Sequence, residues 1–254
     1  MTRMLLLLLL LLPGLSQGLK LPSYIKACSQ HDPNINACAK KHGIEAIPHF
    51  LNGDPKYKVP SLLPLRVDKL SVTHEKSNLG LSSLVVTDAV ISGIENVQLE
   101  DIRIDLSKRH IEIDLFFPSI DIDMKYNIEG KALILPITGS GPGNMSLKNV
   151  TTGVDFDFKL VWNNATGLDH AIPQHPVFKF DAGRIFVHLE NLFNGDKFLG
   201  EAMNAFLNEN WKELRREFGP ALKEAISHIF LRIISNIFAL VPYKDAFLES
   251  YTTS

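Results

Sequence analysis

The central part of the chain alternates between apolar and polar residues. Runs such as 111–115 and 154–158 place an apolar residue at every second position. A period of two gives a strand one apolar face and one face in water. The links between the runs are short, which favours antiparallel neighbours over helical crossovers. Residues 65–190 are therefore predicted to form a large antiparallel sheet. Tight turns are expected at 107–110, 139–143 and 163–167.

Residues 196–241 show a different spacing, with apolar residues every three to four positions. This spacing predicts a helix with a wide apolar stripe. Asp196 suits the N-cap and Pro242 suits the end of the helix. The Gly-Pro pair at 219–220 predicts either a kink or a division into two helices, and the pattern leaves both open. Five polar residues within 226–241 favour a buried helix over a membrane span.

The length of this helix restricts the architecture. A straight helix over these residues would extend about 69 Å, whereas a compact domain of this size is about 45 Å across. Its apolar stripe needs a cover of similar length, and the sheet is the candidate. The patterns predict an α+β fold, in which a long curved antiparallel β-sheet wraps around a long C-terminal α-helix in one elongated domain.

The N-terminus carries the features of a secretory signal peptide. Arg3 precedes an unbroken run of leucines over 5–12, and small residues at 16 and 18 suit cleavage after Gly18. Such a segment is too short to span a bilayer, although an uncut anchor is the alternative. We expect residues 1–18 to be the signal peptide and 19–254 to be a single domain. Within it, residues 19–64 read as an N-terminal arm packed on the main body.

Secretion implies two kinds of covalent modification. Cys28 and Cys38 are the only cysteines and are expected to form a disulfide in an oxidising compartment, with two free thiols as the alternative. Two soft ligands are too few for a metal site. Asn144, Asn149 and Asn164 each begin an Asn-X-Ser/Thr triplet and are candidate glycosylation sites.

Composition excludes several classes of protein. The 254 residues are 45% hydrophobic and 21% charged, which is too apolar for a disordered chain. The 28 acidic residues outnumber the 26 Lys and Arg, which argues against a nucleic-acid partner. The nine histidines lack metal-ligand spacing, and beyond the predicted signal peptide, which holds a chance match at 14–18, the sequence has no G-x-S-x-G nucleophile motif. We therefore predict no catalytic residue, no cofactor and no metal.

Large, soft apolar residues are numerous on the predicted inner surfaces. Each could belong to a solid core, but together they allow an apolar cavity. Tyr126 lies on the apolar face of its predicted strand, in phase with Ile122 and Met124. Its hydroxyl could either select a ligand or form a hydrogen bond with a backbone group. The candidate lining residues are Met124, Tyr126, Leu133, Leu135, Ile137, Phe156, Phe158, Val187, Met203, Phe206 and Phe230.

Seven segments resemble the Takeout and haemolymph juvenile-hormone-binding protein family of insects. They are residues 21–28, 32–38, 59–65, 126–130, 133–141, 192–196 and 206–211. The resemblance spans essentially the whole mature chain in order. It implies a rolled sheet around a long helix, an internal hydrophobic tunnel and no catalysis. The single cysteine pair looks more like the Takeout branch, which implies varied terpenoids or long-chain lipids as ligands.

The sequence therefore predicts a secreted, monomeric carrier of a small hydrophobic ligand, a juvenile-hormone-like terpenoid or a long-chain lipid. Membrane contact would be transient. Two alternatives stay open at this point, a secreted module that acts on a membrane or receptor and a secreted esterase.

Overall fold

The computed structural model describes residues 18–73, 81–132 and 135–249, and within them the side chains of Ala132 and Leu135 are left out. In chain order, the strands are β1 (Cys28–Ser29), β2 (Leu65–Thr73), β3 (Leu81–Ser92), β4 (Gln98–Asp105), β5 (His110–Ala132), β6 (Leu135–Asn163), β7 (Leu168–Leu189) and β8 (Phe247–Leu248). The helices are α1 (Ile35–Asn52), α2 (Lys197–Glu209), α3 (Trp211–Leu240) and α4 (Tyr243–Ala246).

The main sheet has six antiparallel strands, as the alternation predicts. Its order is β2-β3-β5-β6-β7, and β4 lies beside β3 along the same edge of β5. β5, β6 and β7 contain 23, 29 and 22 residues, far beyond the usual 3–10. Register shifts occur in β3 between Thr87 and Val90 and in β6 between Asp155 and Asp157. Such irregularities bend strands, and the long sheet curls around the C-terminal helices.

The turn expected at residues 139–143 is wrong, because β6 runs straight through this segment. Gly139 pairs with Ile128 of β5, and the link from β5 to β6 falls at 133–134, outside the described residues. A Cβ atom on Gly139 would lie 2.9 Å from the Tyr126 hydroxyl and 3.1 Å from Leu192 Cα. The glycine therefore serves close packing instead of a turn. The turns at 107–110 and 163–167 are confirmed.

The C-terminal helical region is divided at Asn210, not at the Gly-Pro pair. The Asp196 side chain caps α2 by accepting from the Leu199 N–H at 3.0 Å, as predicted. Asn210 ends α2 and begins α3, and its Nδ2 donates to the Phe206 carbonyl at 2.8 Å. α3 continues through Pro220, which is exposed to solvent. Its 30 residues give a length of about 45 Å, and it ends just before Pro242, as predicted.

Two asparagines of α2 cover the free edge of β7. Asn204 accepts from the Leu189 N–H at 2.9 Å and donates to the Leu189 carbonyl at 2.9 Å. Asn208 accepts from the Val187 N–H at 3.0 Å and donates to the Val187 carbonyl at 2.7 Å. Paired in this way, the edge strand does not expose these backbone groups to another chain.

The predicted N-terminal arm is confirmed. α1 packs against β4, where the Asn36 Oδ1 accepts from the Ile104 N–H at 2.8 Å. β1 pairs in parallel with β8 near the C-terminus. The predicted disulfide joins Cys28 of β1 to Cys38 of α1. The arm therefore links α1 to the strand at Phe247–Leu248.

The apolar interior separates into two main clusters along the sheet. The tight cluster joins β2, β3, the second half of β5, the first half of β6, the second half of β7, α2 and the start of α3. The loose cluster joins the first half of β5, the second half of β6, the first half of β7 and the second half of α3. Among the described residues, the tight cluster holds 21 buried and nine partly buried members. The loose cluster holds six buried and eleven partly buried members, so much of its apolar surface is uncovered.

Candidate ligand-binding site

The loose cluster brings aromatic rings of the sheet against those of α3. Phe178 of β7 meets Phe230 edge to face, with ring centroids 6.1 Å apart. Phe156 of β6 lies 6.2 Å from Phe238. Phe156 and Phe158 are buried on the sheet side, whereas the rings from α3 are only partly buried. These side chains form an apolar surface between sheet and helix that the protein covers incompletely.

The second half of α3 is less buried than the sequence predicts. The fully buried residues of α3 are Leu214, Phe218 and Gly219, all before Pro220. Within 226–240 the apolar side chains stay partly exposed, so the expectation of a buried helix is wrong for this stretch. The physical reason is that this stretch lies at the surface of the domain, where positions 228, 232, 235 and 239 form a stripe exposed to solvent.

A small gap remains between helix and sheet. Its volume is about 10 Å³, and its walls are almost entirely apolar. The lining residues are Ile113, Leu115, Thr152, Gly153, Val154, Phe178, Ile226 and Phe230. A space of this size is near the minimum for one water molecule. A ligand would therefore need α3 to move outward or the ring of Phe230 to rotate.

A larger groove of about 520 Å³ opens between the start of α1 and the β4–β5 hairpin. Ligand sites commonly measure about 300–1,000 Å³. Ile35, Ile104 and Leu106 line the groove and also belong to the loose cluster. The groove thus exposes one edge of the loose cluster to solvent, on the side of α1 and the β4–β5 hairpin.

Ion pairs surround the groove. The Arg103 guanidinium donates to Glu112 at 2.7 and 3.1 Å and to Asp114 at 2.7 Å. The bond from Arg103 lowers the pKa of Glu112 below its usual range. His110 lies 2.9 Å from Asp157, and this hydrogen bond raises the pKa of His110. Because these charges already have partners, the groove favours uncharged ligand groups over ions.

The predicted lining residues divide between the two clusters. Phe156, Phe158 and Phe230 meet in the loose cluster, where uncovered surface remains. A second group of predicted lining residues lies in the tight cluster and consists of Met124, Tyr126, Ile137, Val187 and Met203. The second group is buried at 8% exposure or less, so it forms solid core. Strand parity predicts correctly that these side chains point inward, but it does not predict how closely they pack.

One predicted lining residue lies at the surface, and two others fall outside the description. Phe206 is 37% exposed, because Met203 and Leu207 carry the buried face of α2 and Phe206 lies out of phase with them. Its assignment to the lining is therefore corrected. Leu133 lies outside the described residues, and the side chain of Leu135 is left out of the description.

The Tyr126 hydroxyl has a backbone partner. It donates to the Glu190 carbonyl at 2.5 Å, and only 3% of the residue is exposed. Burial raises the pKa of Tyr126 to about 12, which keeps the hydroxyl protonated. Of the two roles that the sequence left open, the structure shows the bond to backbone.

Sequence reasoning missed most of the apolar residues that surround the gap and the groove. Ile104 and Ile113 carry a signal, because they lie in alternating strands with inward parity. Ile234 and Phe238 of α3 carry the helical spacing. The charged groups around the groove were assigned only to the face in water, and their grouping depends on the β4–β5 pairing.

The three candidate glycosylation sites are accessible. Asn144 and Asn149 are exposed in β6, and Asn164 is exposed in the β6–β7 turn. Of the three, Asn164 is the one that lies in a turn. Among the described helices, none combines the length and the apolar character needed to cross a bilayer.

Comparisons with known proteins agree with this architecture. Residues 5–248 match the model of the haemolymph juvenile hormone binding protein family. The circadian clock-controlled protein daywake of Drosophila melanogaster is 26% identical over 233 residues, covering 89% of this chain and 88% of the relative. Its Drosophila yakuba counterpart is 26% identical over 239 residues, covering 91% and 89%.

The solved structures include a similar protein of the same architecture. The crystal structure of Takeout 1 from Epiphyas postvittana matches with a TM-score of 0.77 and 28% identity. The match covers 88% of this chain and all of that one. The curled antiparallel sheet around C-terminal helices is therefore the Takeout fold. This chain belongs to the haemolymph juvenile hormone binding protein family.

Proposed function

We propose that this protein is a secreted carrier that holds one small hydrophobic ligand between the sheet and the second half of α3, without catalysis. The observation that carries the proposal is the loose cluster, where partly buried apolar residues outnumber buried ones. Apolar surface left uncovered inside a fold costs free energy, and an apolar ligand would remove it from water. The family's name supports a ligand of this chemistry.

The energetics suit a neutral terpenoid or a long-chain lipid. Burial of apolar surface yields about 25 cal/mol per Å². A ligand that buries about 300 Å² would gain roughly 7–8 kcal/mol before the costs of association. Apolar walls alone can therefore hold it, and the paired charges around the groove oppose an ionic head.

The residues receive separate roles in this proposal. Phe156, Phe158 and Phe230 contact the ligand, and the groove beside Ile104 is its entrance. The five lining candidates of the tight cluster close the far end. Leu133 and Leu135 stay predictions from the sequence, since their side chains are not described.

Secretion belongs to the proposal as well. Residues 1–18 would be removed as a signal peptide, leaving a monomer of 19–254. The disulfide and the exposed sequons suit an extracellular protein. The carrier would meet membranes only transiently, when it takes up or delivers its ligand.

Native mass spectrometry of the full chain secreted from insect cells tests the proposal. We expect the mature protein to carry one apolar molecule per chain, released and identified after denaturation. Offered terpenoids or long-chain lipids should compete for the same single site. Bare protein that also refuses both classes would contradict carriage, and turnover of model esters would favour the esterase alternative.

A further inference from the structure

A histidine lies beside the disulfide. His42 follows Cys38 by four residues on α1, so both side chains project from the same face of the helix. The His42 Nδ1 lies 3.6 Å from the Cys28 Sγ and 3.6 Å from the Cys38 Sγ. The two sulfurs and this nitrogen all lie within 4.8 Å of one another. The fold thus adds a third potential metal ligand to the pair of cysteines.

These distances match those around a tetrahedral zinc ion. Zinc binds sulfur at about 2.3 Å and imidazole nitrogen at about 2.0–2.1 Å. At tetrahedral angles, nitrogen and sulfur ligands then lie about 3.6 Å apart and two sulfur ligands about 3.8 Å apart. Both nitrogen–sulfur distances already have the required value. Only the sulfur–sulfur bond prevents metal binding, and its reduction frees the two sulfurs to separate.

We propose that the reduced chain binds one Zn²⁺ through Cys28, Cys38 and His42, with water in the fourth position. A dithiol reductant delivers two electrons and two protons to the disulfide, giving two cysteine thiols and a disulfide in the reductant. Zn²⁺ then displaces one proton from each thiol, and the neutral imidazole donates a lone pair. Two protons are released and the metal undergoes no redox change.

The surroundings favour each ligand. Cys38 lies near the N-terminus of α1, where the helix dipole stabilises a thiolate. Cys28 is 6% exposed, whereas Cys38 and His42 are half-buried, which leaves one side open for the water. A site with three protein ligands and an open position is a familiar zinc geometry.

The metal would replace the disulfide as the link between two elements. Cys28 belongs to β1, which pairs with β8, and the other two ligands belong to α1. In an oxidising compartment the disulfide joins these elements, and in a reducing one Zn²⁺ would join them. The proposal is independent of the hydrophobic ligand, because none of the three residues lines the groove or the gap.

Cobalt titration tests the site directly. The full mature chain is reduced with a dithiol, freed of it by gel filtration under argon, and titrated with Co²⁺. We expect a sulfur-to-cobalt charge-transfer band in the near ultraviolet that saturates at one equivalent and is lost when Zn²⁺ is added. The oxidised protein should show no band.

Variants separate the ligands from their surroundings. H42Q should weaken Co²⁺ binding at least about tenfold, since even partners of metal ligands contribute 10–100-fold, and C38S should remove the charge-transfer band. H31Q is the matched control, because His31 follows Cys28 by three residues but lies outside the cluster, and it should bind like the parent. Circular dichroism checks that each variant folds. Absence of the band in the reduced parent, or equal affinity of H42Q and H31Q, would overturn the proposal.

Discussion

The tight and loose clusters lie along the same long strands, yet they differ in how completely the protein covers them. The tight cluster is closed by α2 and by glycines that let side chains approach, as where Gly139 faces Tyr126 and Leu192. The loose cluster opposes large rings from both sides and leaves most of its members partly exposed. The comparison teaches that one half of the interior is closed core, while the other half, which our proposal assigns to the ligand, is covered less completely.

The largest expected effect is the loss of a buried leucine from the tight cluster. Leu207 is 1% exposed, and Leu207→Ala should lower the free energy of unfolding by about 2–5 kcal/mol. Ile234→Ala in the loose cluster should cost about 1 kcal/mol, because only part of that side chain leaves water on folding. Urea unfolding of both variants measures the difference. Equal losses would show that the two clusters are packed alike.

Adding volume should test how closely the tight cluster is packed. The new side chain of Gly139→Val would meet the Tyr126 hydroxyl and the Leu192 backbone, and we expect a loss of about 1–3 kcal/mol. Gly200→Ala is the control, because the residue lies inside α2 and its Cβ would meet Leu192 only at an ordinary 3.8 Å or more. It should raise stability by about 0.5–1 kcal/mol. Thermal melting of both variants is the measurement, and a tolerated valine would contradict close packing around Gly139.

Ligand affinity, in contrast to stability, should depend on side chains of the loose cluster. Phe230→Ala removes a partly buried ring of the loose cluster, and we expect about tenfold weaker ligand binding, which corresponds to about 1.4 kcal/mol. Phe206→Ala, the same substitution at an exposed position of α2, should bind like the parent. Competition against a fluorescent apolar probe gives both affinities. Unchanged binding by Phe230→Ala would remove this ring from the proposed lining.

The smallest effect concerns the ion pairs around the groove. Asp157 raises the pKa of His110, so this pair stabilises the fold fully below the ordinary histidine pKa of about 6.5 and loses its effect as pH rises through the folded value. Asp157→Asn should therefore cost more stability at acidic than at alkaline pH, by less than about 1 kcal/mol for an exposed pair. NMR titration of the His110 ring checks the direction. An unchanged pKa of His110 in the variant would show that Asp157 does not raise it.

Local patterns predict much of the fold. Period-two alternation indicates the strands, Asp196 marks the start of α2, and Pro242 follows the end of α3. The turn at 139–143 was predicted wrongly, and the choice left open at Pro220 could not be made, because both depend on tertiary contacts. The glycines around 139–143 read as a turn but make room for neighbouring side chains, and the helical region divides at Asn210 instead of Pro220, whose exposed position lets α3 continue.

The sequence predicts only part of the candidate site. Parity places Phe156 and Phe158 correctly on the inner face, but it places Met124 there too, and these residues end in clusters of different packing. Packing density depends on the separation of α3 from the sheet, which no local pattern encodes. The same applies to His42, whose position beside the disulfide depends on how α1 meets β1.

Photolabelling with an apolar, diazirine-bearing lipid tests the central claim most directly, because it reports where the ligand lies in the folded protein. The labelled protein is digested and the modified residues are located by mass spectrometry. We expect labels on Phe156, Phe158 and the stretch 226–238 of α3, reduced by an excess of unlabelled lipid. Labels confined to Met124, Val187 and Met203 of the tight cluster would contradict the division of the interior into a stabilising half and a binding half.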